Sequence, residues 1–257
     1  MTLRIAVFGE NRHEKVDPKV QEIYPEGMHT VIADGLRETL AADGVDAEVR
    51  IALLDDIEQS LSEEALAQTD VLTWWGHMAH DDVPDEVAER VVRRVHEGMG
   101  LIALHSAHYA KVFKKLLGTT CNLLWRNDGE EERVWTVNGS HPIARGVPHP
   151  IVIPEQEMYG ELFDIPAPDE LVFVSSFAGG EVFRSGCVFR RGKGKLFYFS
   201  PGDQEYPVYR QAEIRRVLAN AVVWARPEDR PAAPVKIDNA QRDWFRAADE
   251  EGTTRVI

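Results

Sequence analysis

The chain has 257 residues, enough for one large α/β domain or two small ones, and at 44% hydrophobic it has a sizeable core and is too apolar for disorder along most of its length. A net charge of −14 argues against nucleic acid or an anionic membrane as partner. No apolar run is long enough to span a bilayer, no leader peptide is expected at the N-terminus, and the two cysteines, Cys121 and Cys187, lack metal or redox spacing, so a cytoplasmic protein without a disulfide is expected.

Leu3 to Phe8 is a first buried strand, ending in the polar loop Gly9-Glu10-Asn11-Arg12-His13. Tyr24 to Gly27 signals a second loop, and Ile32, Leu36 and Leu40 recur every four positions in a helix from about Met28 to Ala42. Ala47 to Ala52 is strand two, and Ser62 is a fair N-cap for a short helix. Asp70 to Trp75 is strand three, ending at Gly76-His77. Pro84 opens a helix to about Glu97 that Gly98 ends. Leu101 to Leu104 is an apolar run with no polar face, as expected of a strand covered on both sides. It stops at His105, with small Ser106 and Ala107 behind it and a helix through about Leu117. That is the layout of a nucleophile elbow with a histidine in place of Ser or Cys. Arg133 to Val137, Ile151 to Pro154 and Leu171 to Phe177 are short β-prone runs, and Gly186 to Phe199 reads as a hairpin turning at Gly192-Lys193-Gly194. These predict antiparallel strands added to the sheet or a small side sheet. A loop from Ser200 to Pro207 precedes a helix over Ala212 to Trp224. The domain is expected to span 1–227, with 228–257 as an extension packed on the surface or on a second subunit through Trp244 and Phe245.

Strands alternating with helices predict an α/β, flavodoxin-like three-layer sandwich with a mostly parallel central sheet. Strand one then lies between strand two on one side and strands three and four on the other, and ligands bind beyond the carboxyl ends of the strands. His13, His77 and His105 each follow one of these strands, so three neighbouring strands deliver imidazoles to one rim, with His29 starting a helix on the same side. Such a set suits a divalent metal, zinc first, or an acid–base pair. His80 and His108 complete His-x-x-His spacings, a weak signal, and are expected to point elsewhere. Glu155 and Glu157 face the same way if their segment is extended, and a carboxylate beside histidines ligates a metal or acts as a general base; a solvated acidic loop is the plainer alternative. Asp203 and Glu205 stand in the same position after the last strand. Trp74, Trp75, Tyr159 and Tyr206 flank these groups, where aromatic faces suit sugar rings, although Trp74 or Trp75 serves equally well as core. The candidates are therefore His13, His105, Glu157 and Asp203 for catalysis, His77, His105 and Glu157 for a metal, and His29, Trp75 and Tyr159 for substrate contact. No G-x-G-x-x-G follows strand one and there is no P-loop, so nucleotide binding lacks support; neither cysteine lies at the elbow, which excludes a Cys–His nucleophile.

Phe8-Gly9-Glu10-Asn11-Arg12-His13, Gly100 to Ala107, His141-Pro142, Glu157-Met158-Tyr159 and Pro201-Gly202-Asp203 occur in an order and spacing that resembles ThuA-like (trehalose-utilisation) proteins over about residues 3 to 226. The resemblance implies the class I glutamine amidotransferase-like fold, a role in bacterial use of trehalose and related or oxidised sugars, and a bound metal. It matches His13, His105, His141, Glu157 and Tyr159. Amidotransferase relatives carry a cysteine at the elbow, so glutaminase activity is not expected. Many relatives have Gly-His where this chain has Gly202-Asp203. The expectation is a sugar-modifying isomerase, lyase or hydrolase, with a non-catalytic sugar-binding or regulatory protein as the alternative and a homo-oligomer as the assembly.

Overall fold

The computed structural model describes residues 2–228; the expected packing of Trp244 and Phe245, and any assembly through them, lie outside the described residues. Its nine strands are β1 (Leu3–Gly9), β2 (Ala47–Leu53), β3 (Val71–Trp75), β4 (Gly100–Leu104), β5 (Leu124–Thr136), β6 (Ile151–Gly160), β7 (Glu170–Phe177), β8 (Val182–Arg191) and β9 (Gly194–Phe199). They form one sheet in the order β2-β1-β3-β4-β9-β8-β7-β5-β6. From β2 to β9 every pairing is parallel, and from β9 to β6 every pairing is antiparallel. The mixed α/β sheet and the order around β1 are as the alternating pattern predicts, and the later strands extend the same sheet.

Helices cover both faces of the parallel half, which is why every residue of its central strands β3 and β4 is buried. On one face, the helices Met28–Ala42 and Ala212–Ala225 pack with Ile5, Val7, Ile102 and Phe199. On the other, Asp85–Glu97 and Lys111–Leu117 pack with Phe8, Leu72, Leu101 and Ala103. Two short helices, His13–Val16 and Pro18–Ile23, occupy the segment between the two expected loops; neither is long enough to show a periodicity.

β5 and β6 run further than the β-prone stretches suggest. β7 pairs only with Glu132–Thr136 of β5, so the first half of β5 and its β6 partner continue past the end of β7 as a two-stranded ribbon. Two bulges bend it. Pro154 and Glu155 of β6 together oppose Glu131, and Asn127, Asp128 and Gly129 of β5 together oppose Glu157. The ribbon returns over the carboxyl ends of the parallel strands, bringing β6 to a site five strands away in the sheet order.

Gly100 starts β4 where the helix Ala212–Ala225 ends: a Cβ there would lie 2.5 Å from the Ala225 carbonyl oxygen and 2.8 Å from its Cβ. Backbone cannot yield cheaply. Gly100→Ala is expected to destabilise by about 1–3 kcal/mol through overpacking, read as a lower urea midpoint with an unchanged slope.

Candidate active site

β4 ends in a tight turn that holds His105 at φ +49, a left-handed conformation uncommon for a residue with a side chain, before a 3-10 turn over His105–Tyr109 and the helix Lys111–Leu117. The expected elbow is present, with the 3-10 turn in place of the first turn of helix. The His105 ring is fully buried. Its Nδ1 lies 2.6 Å from the Ser200 carbonyl oxygen, and its Nε2 lies 2.9 Å from Glu157 Oε2 and 3.5 Å from Asp203 Oδ2. A carbonyl and two carboxyls are all acceptors, so both ring nitrogens carry protons and donate. Burial by itself lowers the ring's proton affinity, but Asp203 and Glu157 outweigh it and push the pKa up to about 10. Tyr159 stacks flat on this imidazolium, with ring centroids 4.6 Å apart and planes 6° from parallel. Its hydroxyl, 3.1 Å from Nε2, therefore sits over the ring and not along an in-plane N–H.

Glu157 and Tyr159 come from the bent ribbon of β5 and β6, and Asp203 from the loop after β9. Burial would raise the Asp203 pKa, yet the pairing with His105 and the Glu205 N–H on Oδ1 at 2.8 Å hold it below the usual carboxylate range. The buried Gln156 side chain accepts from the backbone N–H groups of Glu157 and Asp203, at 3.2 and 3.3 Å, and ties ribbon and loop together. Glu155 is exposed while Glu157 is buried, a departure from the alternation expected of an extended segment, because the Pro154–Glu155 bulge breaks the two-residue period between them.

His13 and His77 meet over this cluster. His13 Nε2 lies 3.0 Å from His77 Nδ1, so one donates to the other. Burial, with the charges of His105 and His13, lowers the His77 pKa. The loop carrying His77 is held by Glu10, whose buried carboxyl accepts the N–H groups of His77, Met78 and Ala79 at 2.7, 3.0 and 3.0 Å. Glu10 belongs to the β1 loop, so one side chain fixes the rims of two neighbouring strands. Its clue in the sequence is an acidic residue directly after a strand-ending glycine.

A cavity of about 500 Å³ opens above these groups, lined by His13, His77, His80, His108, Glu157, Tyr159 and Asp203 among others. The structure thus brings His13, His77, His105, Glu157, Tyr159 and Asp203 to one place. It does not bring His29, Trp75 or His141 to the cavity wall. His29 is buried against Gly9 and Gly27 behind the rim. Trp75 is buried under the rim, and its indole N–H donates to the Gly202 carbonyl at 3.0 Å, so it steers the Asp203 loop and cannot meet a substrate. His141 accepts the Ile143 N–H at the start of a 3-10 turn and packs on Trp224, a structural part. His80 and His108, in contrast, do reach the cavity. The proposed ligand set also changes: among the described residues the donor atoms of His77, Glu157 and Asp203 lie within 4.8 Å of one another, whereas both His105 nitrogens are committed as donors. Cys121 and Cys187 are free and buried.

A profile of the ThuA family, described as trehalose utilisation, matches residues 4–225. The chain belongs to that family. ThuA-like structures agree with this: one from Bacteroides uniformis superposes with a TM-score of 0.61 at 16% identity, covering 86% of this chain and 90% of its own. A protein of Salmonella typhimurium described as cytoplasmic gives 0.58 at 12% identity, over 88% of this chain and 100% of its own. A Thermoplasma acidophilum protein described as one component of a GMP synthase gives 0.50 at 14% identity, over 87% and 96%. No curated protein matches the sequence at a significant level. Among the described residues, no helix is long and apolar enough to cross a membrane.

His108 must stay neutral in this fold. Burial outweighs the hydrogen bond to the Cys121 carbonyl and lowers its pKa to about 3. The unfolded chain takes up this proton near 6.5, so the stability the ring contributes is full above that value and drains as pH falls toward about 3. From about pH 7 to pH 5 the loss is about 2 kcal/mol. Urea unfolding of His108→Gln should show a drop smaller by that amount; equal drops in both proteins refute the neutral buried ring.

Proposed function

We propose that this ThuA-family chain is a cytoplasmic enzyme acting on disaccharides or their keto derivatives through a His/Glu/Asp acid–base site assisted by a divalent metal. The observation behind this is the convergence of one buried imidazolium, two carboxyls and a pair of hydrogen-bonded histidines at the floor of a single cavity. Neighbouring strands explain a shared rim, but not why the ribbon returns over it or why ionisable groups occupy it.

Glu157 is the general base in this scheme. It lies at the cavity wall and takes a proton from a carbon beside a sugar carbonyl, or from a hydroxyl, while the His105 charge next to it steadies the developing negative charge. The His13–His77 pair offers an N–H to a sugar oxygen and receives the next proton. Tyr159, whose hydroxyl burial keeps protonated well above its usual range, covers His105 and excludes water from it. Such proton transfers contribute about 10²- to 10⁴-fold and lead from an enediol to isomerisation or elimination.

The site also fits a metal. Asp203 Oδ2 is buried and has only the long 3.5 Å contact with the His105 N–H that Glu157 already accepts, and a donor set of one imidazole and two carboxyls suits zinc or another divalent ion. His77 and Asp203 would hold it, leaving Glu157 beside it as the base, and when bound it supplies Lewis-acid polarisation of a sugar oxygen. Descent from the class I glutamine amidotransferase-like fold is part of the same proposal, supported by the elbow and by the likeness to the GMP synthase component; with histidine at the elbow, glutaminase chemistry is lost.

Glu157→Gln is expected to lower kcat on oxidised disaccharides about 10²- to 10⁴-fold with the fold intact. Metal analysis of Asp203→Asn should show less bound divalent ion than wild type. Turnover unchanged in Glu157→Gln sinks the base assignment, and saturable sugar binding without turnover in wild type makes the chain a binding protein instead.

A further inference from the structure

The outer half of the cavity is unlike its floor. Its lining includes Asn122, Leu123, Asn127 and two exposed aromatic side chains, Tyr109, whose ring already carries Lys114 Nζ 3.0 Å over its centroid, and Trp125. Trp125 is 64% exposed. Among the described residues its ring packs on no other ring and its indole N–H donates to no protein acceptor. A bare indole at a cleft mouth offers a broad apolar face to a ligand lying in the cleft.

Its direction is fixed by the ladder. Trp125 stands directly opposite Tyr159 in the β5–β6 pairing, and opposed residues of an antiparallel pair project from the same face with Cβ atoms about 5 Å apart. Tyr159 in turn stacks on His105. The register therefore sets Trp125 one side chain outward from the reacting end, on the same wall. The bulge at Asn127–Gly129, immediately after it, bends this part of the ribbon over the cavity.

Resting on the sugar reading above, we propose that Trp125 forms a second, non-reacting sugar subsite, so that the substrate is a disaccharide or comparable glycoside bound across both halves and not a free monosaccharide. A pyranose has an apolar C–H face and a rim of hydroxyls. The indole would cover the face, and Asn122 and Asn127, which line the same cavity, have side-chain amides that can bond the hydroxyls. The Asn127 amide is already oriented by the Tyr206 hydroxyl at 2.6 Å and by Glu205 at 3.3 Å, so it needs little reorganisation on binding. The cavity volume falls within the range of whole ligand sites, about 300–1,000 Å³.

The test is calorimetric binding of trehalose, of trehalose oxidised to a ketone on one ring, and of glucose to wild type, Trp125→Ala and Trp125→Phe. Trp125→Ala is expected to weaken disaccharide binding about tenfold, Trp125→Phe to restore most of it, and glucose binding to be alike in all three. Unchanged disaccharide affinity in Trp125→Ala, or an equal loss for glucose, overturns the subsite while leaving the sugar reading standing. If wild type binds none of the three sugars, the sugar reading fails and the subsite with it.

Discussion

One ring holds this site together. The two nitrogens of His105 face acceptors in opposite directions: the Ser200 carbonyl just after β9 on one side, and the carboxyls of Glu157 and Asp203 from the ribbon and the last loop on the other. Two carboxyls so close would repel each other in a dry interior without a cation between them. The backbone pays for this placement with a positive φ at a non-glycine residue, a cost on the order of 1–3 kcal/mol that two charge-assisted hydrogen bonds can offset. Everything else at the site is arranged round this ion cluster, from the stacked Tyr159 to the Gln156 amide that links ribbon and loop.

Much of the parallel half is legible in the sequence because its signals are local. The central strands are short apolar runs, the longer helices show their own period, and neighbouring strands in a right-handed βαβ series fix which loops share a rim. That logic brings His13, His77 and His105 together from three separate segments. The antiparallel half gives less away. Nothing in Gly194 to Phe199 says that this strand lies beside β4, and nothing in Glu155 to Glu157 announces a bulge, since both depend on partners distant in the chain. Side-chain direction at loops is equally hidden. Trp75 ends a strand as His77 follows it, yet one is turned under the rim to hold Gly202 and the other over it. His29 and His141 share the residue type of the site histidines without sharing its location, because a histidine is also a good capping or packing residue.

The likeness in fold holds at identities of 12–16% over most of the chain. At that distance what persists is the frame of strands and helices, and chemistry is decided by the few loops at the carboxyl rim. Two of those loops are pinned from behind by groups that never reach the cavity: Glu10 gathers three amides of the β3 loop, and Trp75 anchors the loop of Asp203. A rim supported in this way can change the residue it presents, such as an aspartate in place of an imidazole, without losing the position from which it is presented.

The insertion of β9 has a consequence for biosynthesis. β4 pairs on one edge with β3 and on the other with β9, and the Ser200 carbonyl that clamps His105 emerges from the ribosome 95 positions after it. A nascent chain that has made its first four strands must therefore wait, with a bare hydrophobic edge and an unclamped elbow, while the whole antiparallel segment is synthesised. A chain truncated before Ser200 would retain most of its helices and still lack the clamp. Chaperone dependence and edge-to-edge association should concentrate in that interval of translation.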